Sequence, residues 1–241
     1  MVEISTANIQ SFLKNDTFVK KNYKMKHRAV IFDMDGVLID SEPLHIEMET
    51  QMISELNIPL NKDMYSRFAG TTSLSMWKIL VDEFNLDKNP KMISIESDRR
   101  FIEALLSTDK VKLFDGVKDV LMKLERLEIP LALASSSSKG VVNAVLKKFE
   151  LEDIFTVVVT GSDVQNSKPH PEIFLKASQM LNVLPSYCVI VEDSPNGVKA
   201  AKLAGISCIG FSPEQNKHDI SHATYIMKSF REFDYGLLEK Y

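Results

Sequence analysis

A chain of 241 residues, 44% hydrophobic and 26% charged with a formal net charge of −4, is long enough for one sizeable α/β domain and a smaller accessory one. It carries no basic excess and no Lys/Arg stripe, which argues against a nucleic-acid partner, and no stretch approaches the roughly 18 apolar residues of a membrane span. Its two cysteines, Cys188 and Cys208, each lie inside an apolar run and read as small buried hydrophobes in a reducing, cytoplasmic compartment.

Residues 1–24 hold Lys14, Lys20, Lys21 and Lys24 interrupted by Glu3 and Asp16, with no arginine and no continuous apolar segment. They read as an appended extension, neither a secretory signal nor a mitochondrial presequence, with Met25-Lys26-His27-Arg28 as an alternative start. Ala29-Val30-Ile31-Phe32 is then a short apolar run of the kind buried on both faces of a parallel sheet. It stops at Asp33, skips one residue and presents Asp35, after which Gly36 lets the chain turn away. Two acids so spaced at a strand's carboxyl end, where open α/β sheets place their ligands, can converge on one cation.

The period changes after Asp40. Leu44, Met48, Met52 and Leu56, with Ile53 beside them, mark an amphipathic helix opened by Ser41 as cap, Glu42 and Pro43. Trp77, Leu80, Val81 and Phe84 mark a second helix, and Met92 to Leu106 a third. No strand-like run interrupts them, so residues 42–108 read as a small all-helical insertion. The α/β rhythm then resumes with strands at 130–134, 157–159, 187–191 and 206–210 and helices between. Residues 25–41 and 109–241 are thus predicted to form a Rossmann-like α/β core with a parallel sheet wound by right-handed crossovers, the insertion rising from the edge that carries Asp33.

Polar residues collect at the strand ends: Asp33 and Asp35, then Ser135 in Ala134-Ser135-Ser136-Ser137-Ser138, then Lys168 in Ser167-Lys168-Pro169, then Glu192-Asp193-Ser194. In a parallel sheet these tips share one edge and would form one site.

This ordered set, Asp-x-Asp-Gly, a strand-end Ser, Lys-Pro before a helix and an acidic pair after a strand, resembles the haloacid dehalogenase superfamily of phosphohydrolases. The likeness covers roughly residues 25 to 215. The helical insertion is similar to that of the subfamily holding beta-phosphoglucomutase and many sugar-phosphate phosphatases. The resemblance implies Mg2+ ligated by Asp33, by Asp35 through its backbone carbonyl, and by Glu192 and Asp193. It implies Asp33 as nucleophile, Asp35 as general acid and base, and Ser135 and Lys168 on the transferring phosphoryl group. Ser136, Ser137, His45 and the loop bearing Gly70 and Thr71 are candidate substrate contacts.

The chemistry is consistent with those roles. A phosphate monoester carries about −1.5 to −2 charge, so an anionic nucleophile needs positive charge nearby, which Mg2+ on oxygen ligands supplies. With an unperturbed pKa of about 3.9, an Asp is ionised near neutrality without a base. As an acid and base Asp35 would benefit from a raised pKa. The expected activity is therefore a Mg2+-dependent phosphatase, monomeric, acting on a small phosphorylated metabolite such as a sugar or sugar-alcohol phosphate through an aspartyl phosphate. The alternatives are a beta-phosphoglucomutase-type mutase and a non-catalytic phosphometabolite binder. The family's mutases share an arginine three residues beyond the loop glycine; here Ser73 occupies that place, with Arg67 or Lys78 as possible substitutes.

Overall fold

Short strands buried on both faces build the sheet. In the computed structural model, which describes residues 29–59, 67–213, 218–234, 236 and 238, β1 (Ala29–Phe32) is wholly buried and pairs in parallel with β2 (Leu131–Ala134) on one side and β4 (Cys188–Glu192) on the other. β3 (Val157–Val159) extends the sheet beyond β2. β5 (Ser207–Phe211) and β6 (Tyr225–Met227) extend it beyond β4, giving the order β3-β2-β1-β4-β5-β6 with every pairing parallel. The extension at 1–24 and the alternative start at Met25 lie outside the described residues.

Side chains two apart share a face. Val30, Phe32, Leu131, Leu133, Val189, Val191, Ile209 and Phe211 form one core with helices α4 (Val117–Arg126) and α5 (Lys139–Lys148). Ala29, Ile31, Ala132, Ala134, Cys188, Ile190 and Cys208 form the other with α6 (Glu172–Leu181) and α7 (Pro195–Ala204). The arrangement is the expected Rossmann-like α/β fold. Both cysteines are free and buried; burial pushes the Cys188 thiol up to about 11 and raises that of Cys208 further. No helix among the described residues is long and apolar enough to cross a membrane.

Between β1 and β2 run α1 (Glu42–Glu55), α2 (Ser73–Glu83) and α3 (Pro90–Ser107). They gather around a separate cluster of Met52, Ile53, Phe68, Met76, Trp77, Leu80 and Ile93. The two connections to this insertion are tied to each other. The Asp40 amide donates to the Lys112 carbonyl at 2.9 Å, and the Phe114 amide to that of Leu38 at 3.0 Å.

Three details differ from the sequence reading. α3 starts two residues earlier than expected, where Asn89 accepts from the Lys91 amide and Pro90 occupies the first turn. β6 was not foreseen, because three residues flanked by polar chain carry too little periodicity. Ser41 occupies the N-cap position of α1 but makes no capping bond; its hydroxyl donates instead to Asp35 Oδ1 at 2.6 Å.

Candidate active site

The strand order reverses direction between β1 and β4, and this switch point is where open α/β sheets bind ligands. Asp33 follows β1 and Asp193 follows β4, while Ser135 follows β2. All three are buried. The Asp33 amide donates to the Val191 carbonyl at 2.9 Å and the Ser135 amide to that of Val159 at 3.0 Å, so the main chain that carries these side chains continues the sheet.

Lys168 comes to the same point from the segment before α6. Its ammonium donates to Asp33 Oδ1 at 2.5 Å, Glu192 Oε1 at 2.8 Å and the Ala134 carbonyl at 3.3 Å, and it lies over the Phe174 ring. All three donors of a fully buried cation are thereby matched. Burial alone would lower the Lys168 pKa; the Asp33 and Glu192 carboxylates overcome that and raise it.

Glu192 lies beneath the first turn of α7. Its Oε2 accepts from the Ser194 amide at 2.6 Å and the Ser194 hydroxyl at 3.0 Å. A Cβ on Gly197 would stand 1.7 Å from Oε1, so only glycine admits the carboxylate there. Both Glu192 oxygens are thus committed to the protein. Asp193 faces the other way: a Cβ on Gly36, which has φ +77, would lie 2.1 Å from Asp193 Oδ2. The turn after Asp35 and the Asp193 carboxylate are therefore in direct apposition.

The electrostatics of this floor are short of positive charge. Burial, Glu192 and Asp35 push the Asp33 pKa from 3.8 up to about 7 despite Lys168. Burial and the neighbouring Glu192 and Asp33 charges likewise raise Asp193.

Asp35 is held differently. Its Oδ1 accepts from Ser41 at 2.6 Å and lies 3.3 Å from His45 Nε2, while its Oδ2 accepts from Ser137 at 2.7 Å. Burial would raise its pKa, but the bond and charge of His45 and the two hydroxyls outweigh burial and lower it. The raised pKa expected for an acid and base is therefore not what this arrangement produces. His45 stacks on Phe101 at 4.2 Å between centroids; its pKa is raised because Asp35 overcomes the opposing effect of burial.

The serine run divides its work. The Ser135 hydroxyl accepts from the Ser137 amide at 3.1 Å, and Ser138 caps α5 by accepting from the Val141 amide. Ser137 reaches Asp35, and Ser136 donates to the Gly70 carbonyl at 2.7 Å. The Ser136 and Ser137 hydroxyls, expected to meet substrate, are engaged with the protein here. At the start of α5 the Lys139 amide donates to the Ser162 hydroxyl at 3.3 Å and the Val141 amide to that of Ser138 at 3.4 Å.

Gly70, at φ +77, sits so close to the core that a Cβ would be 2.3 Å from Ser194 Oγ. Asn196 donates to the Ala69 carbonyl at 2.8 Å, and Ser75 and Ser167 hydroxyls lie 3.2 Å apart. The insertion is thus pinned over the floor, enclosing a cavity of about 170 Å³. Asp33, Asp35, His45, Gly70, Thr71, Ser136, Ser137 and Asp193 all line it. Lys168, Glu192 and Ser135, the last expected to touch substrate, do not line it. Arg67 is ion-paired with Glu83 at 2.8 Å and Lys78 is exposed, and neither lines the cavity.

Sequence reasoning missed Ser41 as a partner of Asp35 and Asn196 as a contact of the insertion loop. Ser41 carried the signal of a helix cap, which concealed its other use. Asn196 bonds a residue 127 positions away, and nothing local to it signals that.

The chain is similar to several known proteins. The family model for haloacid dehalogenase-like hydrolases matches residues 30–211. A phosphorylated carbohydrates phosphatase of Thermotoga maritima is 38% identical over 185 residues, 75% of this chain and 83% of that protein. A beta-phosphoglucomutase of Bacillus subtilis is 30% identical over 78% of this chain and 84% of its own. Among solved structures, a beta-phosphoglucomutase of Clostridium difficile superposes with a TM-score of 0.78 over 89% of this chain and 96% of its own; at 22% identity that likeness concerns the fold.

Proposed function

The chain belongs to the haloacid dehalogenase-like hydrolases and is a phosphoric monoester hydrolase, and from that premise we propose that it is a Mg2+-dependent phosphatase of small phosphorylated carbohydrates working through an aspartyl phosphate on Asp33. The observation that carries this reading is the meeting of Asp33, Asp35 and Asp193 in one cavity, with Lys168 bonded to Asp33 beneath it.

The residues fit a magnesium ion. Among the described residues no three His, Cys, Asp or Glu side chains stand as a ready cation cage, but Mg2+ needs only one or two carboxylates and keeps several waters. Asp33, Asp193 and the Asp35 carbonyl would hold it, in a floor whose buried carboxyls outnumber their cation. Glu192, with both oxygens engaged, acts behind the ion by fixing Lys168 and Ser194. Bound there, Mg2+ would neutralise the field between the Asp33 carboxylate and the ester dianion and bring the Asp33 pKa down.

Asp33 forms a bond to phosphorus as the ester P–O bond breaks, and Lys168 holds Asp33 in place. Ser135 and the neighbouring main chain of the serine run would bind the phosphoryl oxygens. The departing alkoxide takes a proton from the Asp35–His45 pair, in which the imidazole is the better-stocked member. Asp35, kept ionised by Ser41, Ser137 and His45, then takes a proton from the water that attacks the aspartyl phosphate, releasing phosphate and regenerating Asp33. The pinned insertion keeps bulk water out.

A mutase must grip a second phosphate. Ser73 at the loop position, Arg67 tied to Glu83 and Lys78 outside the cavity all favour hydrolysis. We place the enzyme in a reducing, cytoplasmic compartment as a monomer, in keeping with its unpaired buried thiols. The test is phosphate release across hexose, deoxyhexose, pentose, polyol and nucleoside monophosphates with and without Mg2+. Release confined to sugar and polyol phosphates and dependent on Mg2+ is expected. Sustained conversion of beta-glucose 1-phosphate to glucose 6-phosphate with little free phosphate would overturn the reading.

A further inference from the structure

The wall of the cavity on the insertion side carries one basic group, His45, which is committed to Asp35; its other ionisable groups are acidic. Glu49 of α1 and Asp98 of α3 line it, as do Ser73, Ser97 and Glu42, the last 3.5 Å from His218. Glu49 and Asp98 both act electrostatically on His45, which places the three in one neighbourhood. Burial pushes both carboxyls up; the His45 charge pulls Glu49 back, and a hydrogen bond from Ser138, then the His45 charge, pull Asp98 back.

Among the described residues that line the cavity there is no lysine or arginine. The two arginines that directly follow Asp98 are engaged elsewhere: Arg99 pairs with Glu96 and Glu103, and Arg100 with Glu96 and Glu55. The transferring phosphate has its complement at the floor, whereas any second anion on the substrate would face Glu49 and Asp98. Carboxylates accept hydrogen bonds and donate none when ionised, so their natural partners are hydroxyl or ammonium protons. The cavity, about 170 Å³, is small beside the roughly 300–1,000 Å³ of drug-sized ligand sites, which suits a single sugar-sized group.

We propose that the leaving group is a polyhydroxylated carbon chain bearing no second negative charge, neutral or amine-bearing, and that Glu49 and Asp98 select it by accepting its hydroxyl or ammonium protons and repelling anions. This rests on the phosphatase reading and narrows it. Bisphosphates and phosphorylated sugar acids are excluded; hexose, hexitol and amino-sugar monophosphates are admitted.

The test uses three hexose-derived 6-phosphates: glucose 6-phosphate, glucosamine 6-phosphate and the open-chain acid 6-phosphogluconate. In the full chain kcat/KM for 6-phosphogluconate should fall at least about tenfold below that for glucose 6-phosphate, since like-charge juxtaposition is strongly unfavourable, with glucosamine 6-phosphate equal to or above glucose 6-phosphate. In Glu49→Gln and Asp98→Asn variants, checked for folding by their melting temperatures, that ratio should shrink toward one, whatever happens to absolute activity. Equal use of 6-phosphogluconate by the full chain, or a ratio unmoved in both variants, overturns the inference. p-Nitrophenyl phosphate reports on the hydrolase reading separately. If it and the sugar phosphates release no phosphate, that reading fails, and the preference is read from ligand-induced melting shifts: a larger rise with glucose 6-phosphate sustains the selectivity, and equal shifts sink it.

Discussion

The Lys168 ammonium stands 2.5 Å from Asp33 Oδ1, joining two buried side chains that are 135 positions apart in the chain. The same ammonium bonds Glu192, so a single cation holds the proposed nucleophile and pairs with a second buried carboxylate. Lys168→Met keeps the aliphatic stem and removes the charge, leaving both acids buried without their partner. Breaking a buried pair in this way costs about 3–5 kcal/mol. A markedly lower melting temperature and loss of phosphate release are expected; an unchanged melting temperature would mean the pair is not buried as described.

Asp33→Asn should do the opposite to stability in metal-free protein. An acid whose pKa is raised on folding, here from 3.8 to about 7, binds its proton more tightly in the folded state. It therefore contributes stability that is full below about pH 3.8 and is lost as pH rises through about 7. The near-isosteric asparagine has no such loss. With chelator present, the variant and the natural chain should melt alike near pH 4, and the variant should melt higher by pH 8. Parallel melting curves across that window would contradict the raised pKa.

In the proposed mechanism His45 both shares the proton given to the leaving group and holds Asp35 ionised. Asparagine in its place removes the imidazole that does most to hold Asp35 ionised, leaving Ser41 and Ser137. The Asp35 pKa should rise, moving the acid limb of the kcat profile to higher pH. The rate should fall by about 10²-fold, the scale of one lost proton-transfer contribution. A profile that keeps its shape and position would remove His45 from the mechanism.

Asn196 meets the insertion loop through a main-chain carbonyl, at Ala69. Asn196→Ala removes one bond of the closed state, worth about 0.5–1.5 kcal/mol. KM for sugar phosphates should rise about three- to tenfold with less change in kcat, and small-angle scattering should show a more extended particle. Unaltered KM and scattering would show that closure does not depend on this contact.

Much of this was legible in the chain because parallel strands buried on both faces are written as short apolar runs, and their ends are marked by the polar residues that do chemistry. Asp33, Ser135, Lys168 and Asp193 were visible for that reason. The adjacent acids Glu192 and Asp193 look alike in sequence. Only strand alternation and the glycines at 197 and 36 show that one turns inward to Lys168 and the other toward the Asp35 turn. The shell around Asp35 was hidden because a hydroxyl's direction depends on what approaches it in space. Ser41 has the spacing of a cap and Ser137 that of a phosphate loop, yet both donate to the same carboxylate.

Everything turns on Asp33 attacking phosphorus, and the most direct measurement is steady-state phosphate release by purified Asp33→Asn in saturating Mg2+ beside the natural chain. The account predicts release at background with a melting temperature equal to or above that of the natural chain. Release at the natural rate from the folded variant would contradict it.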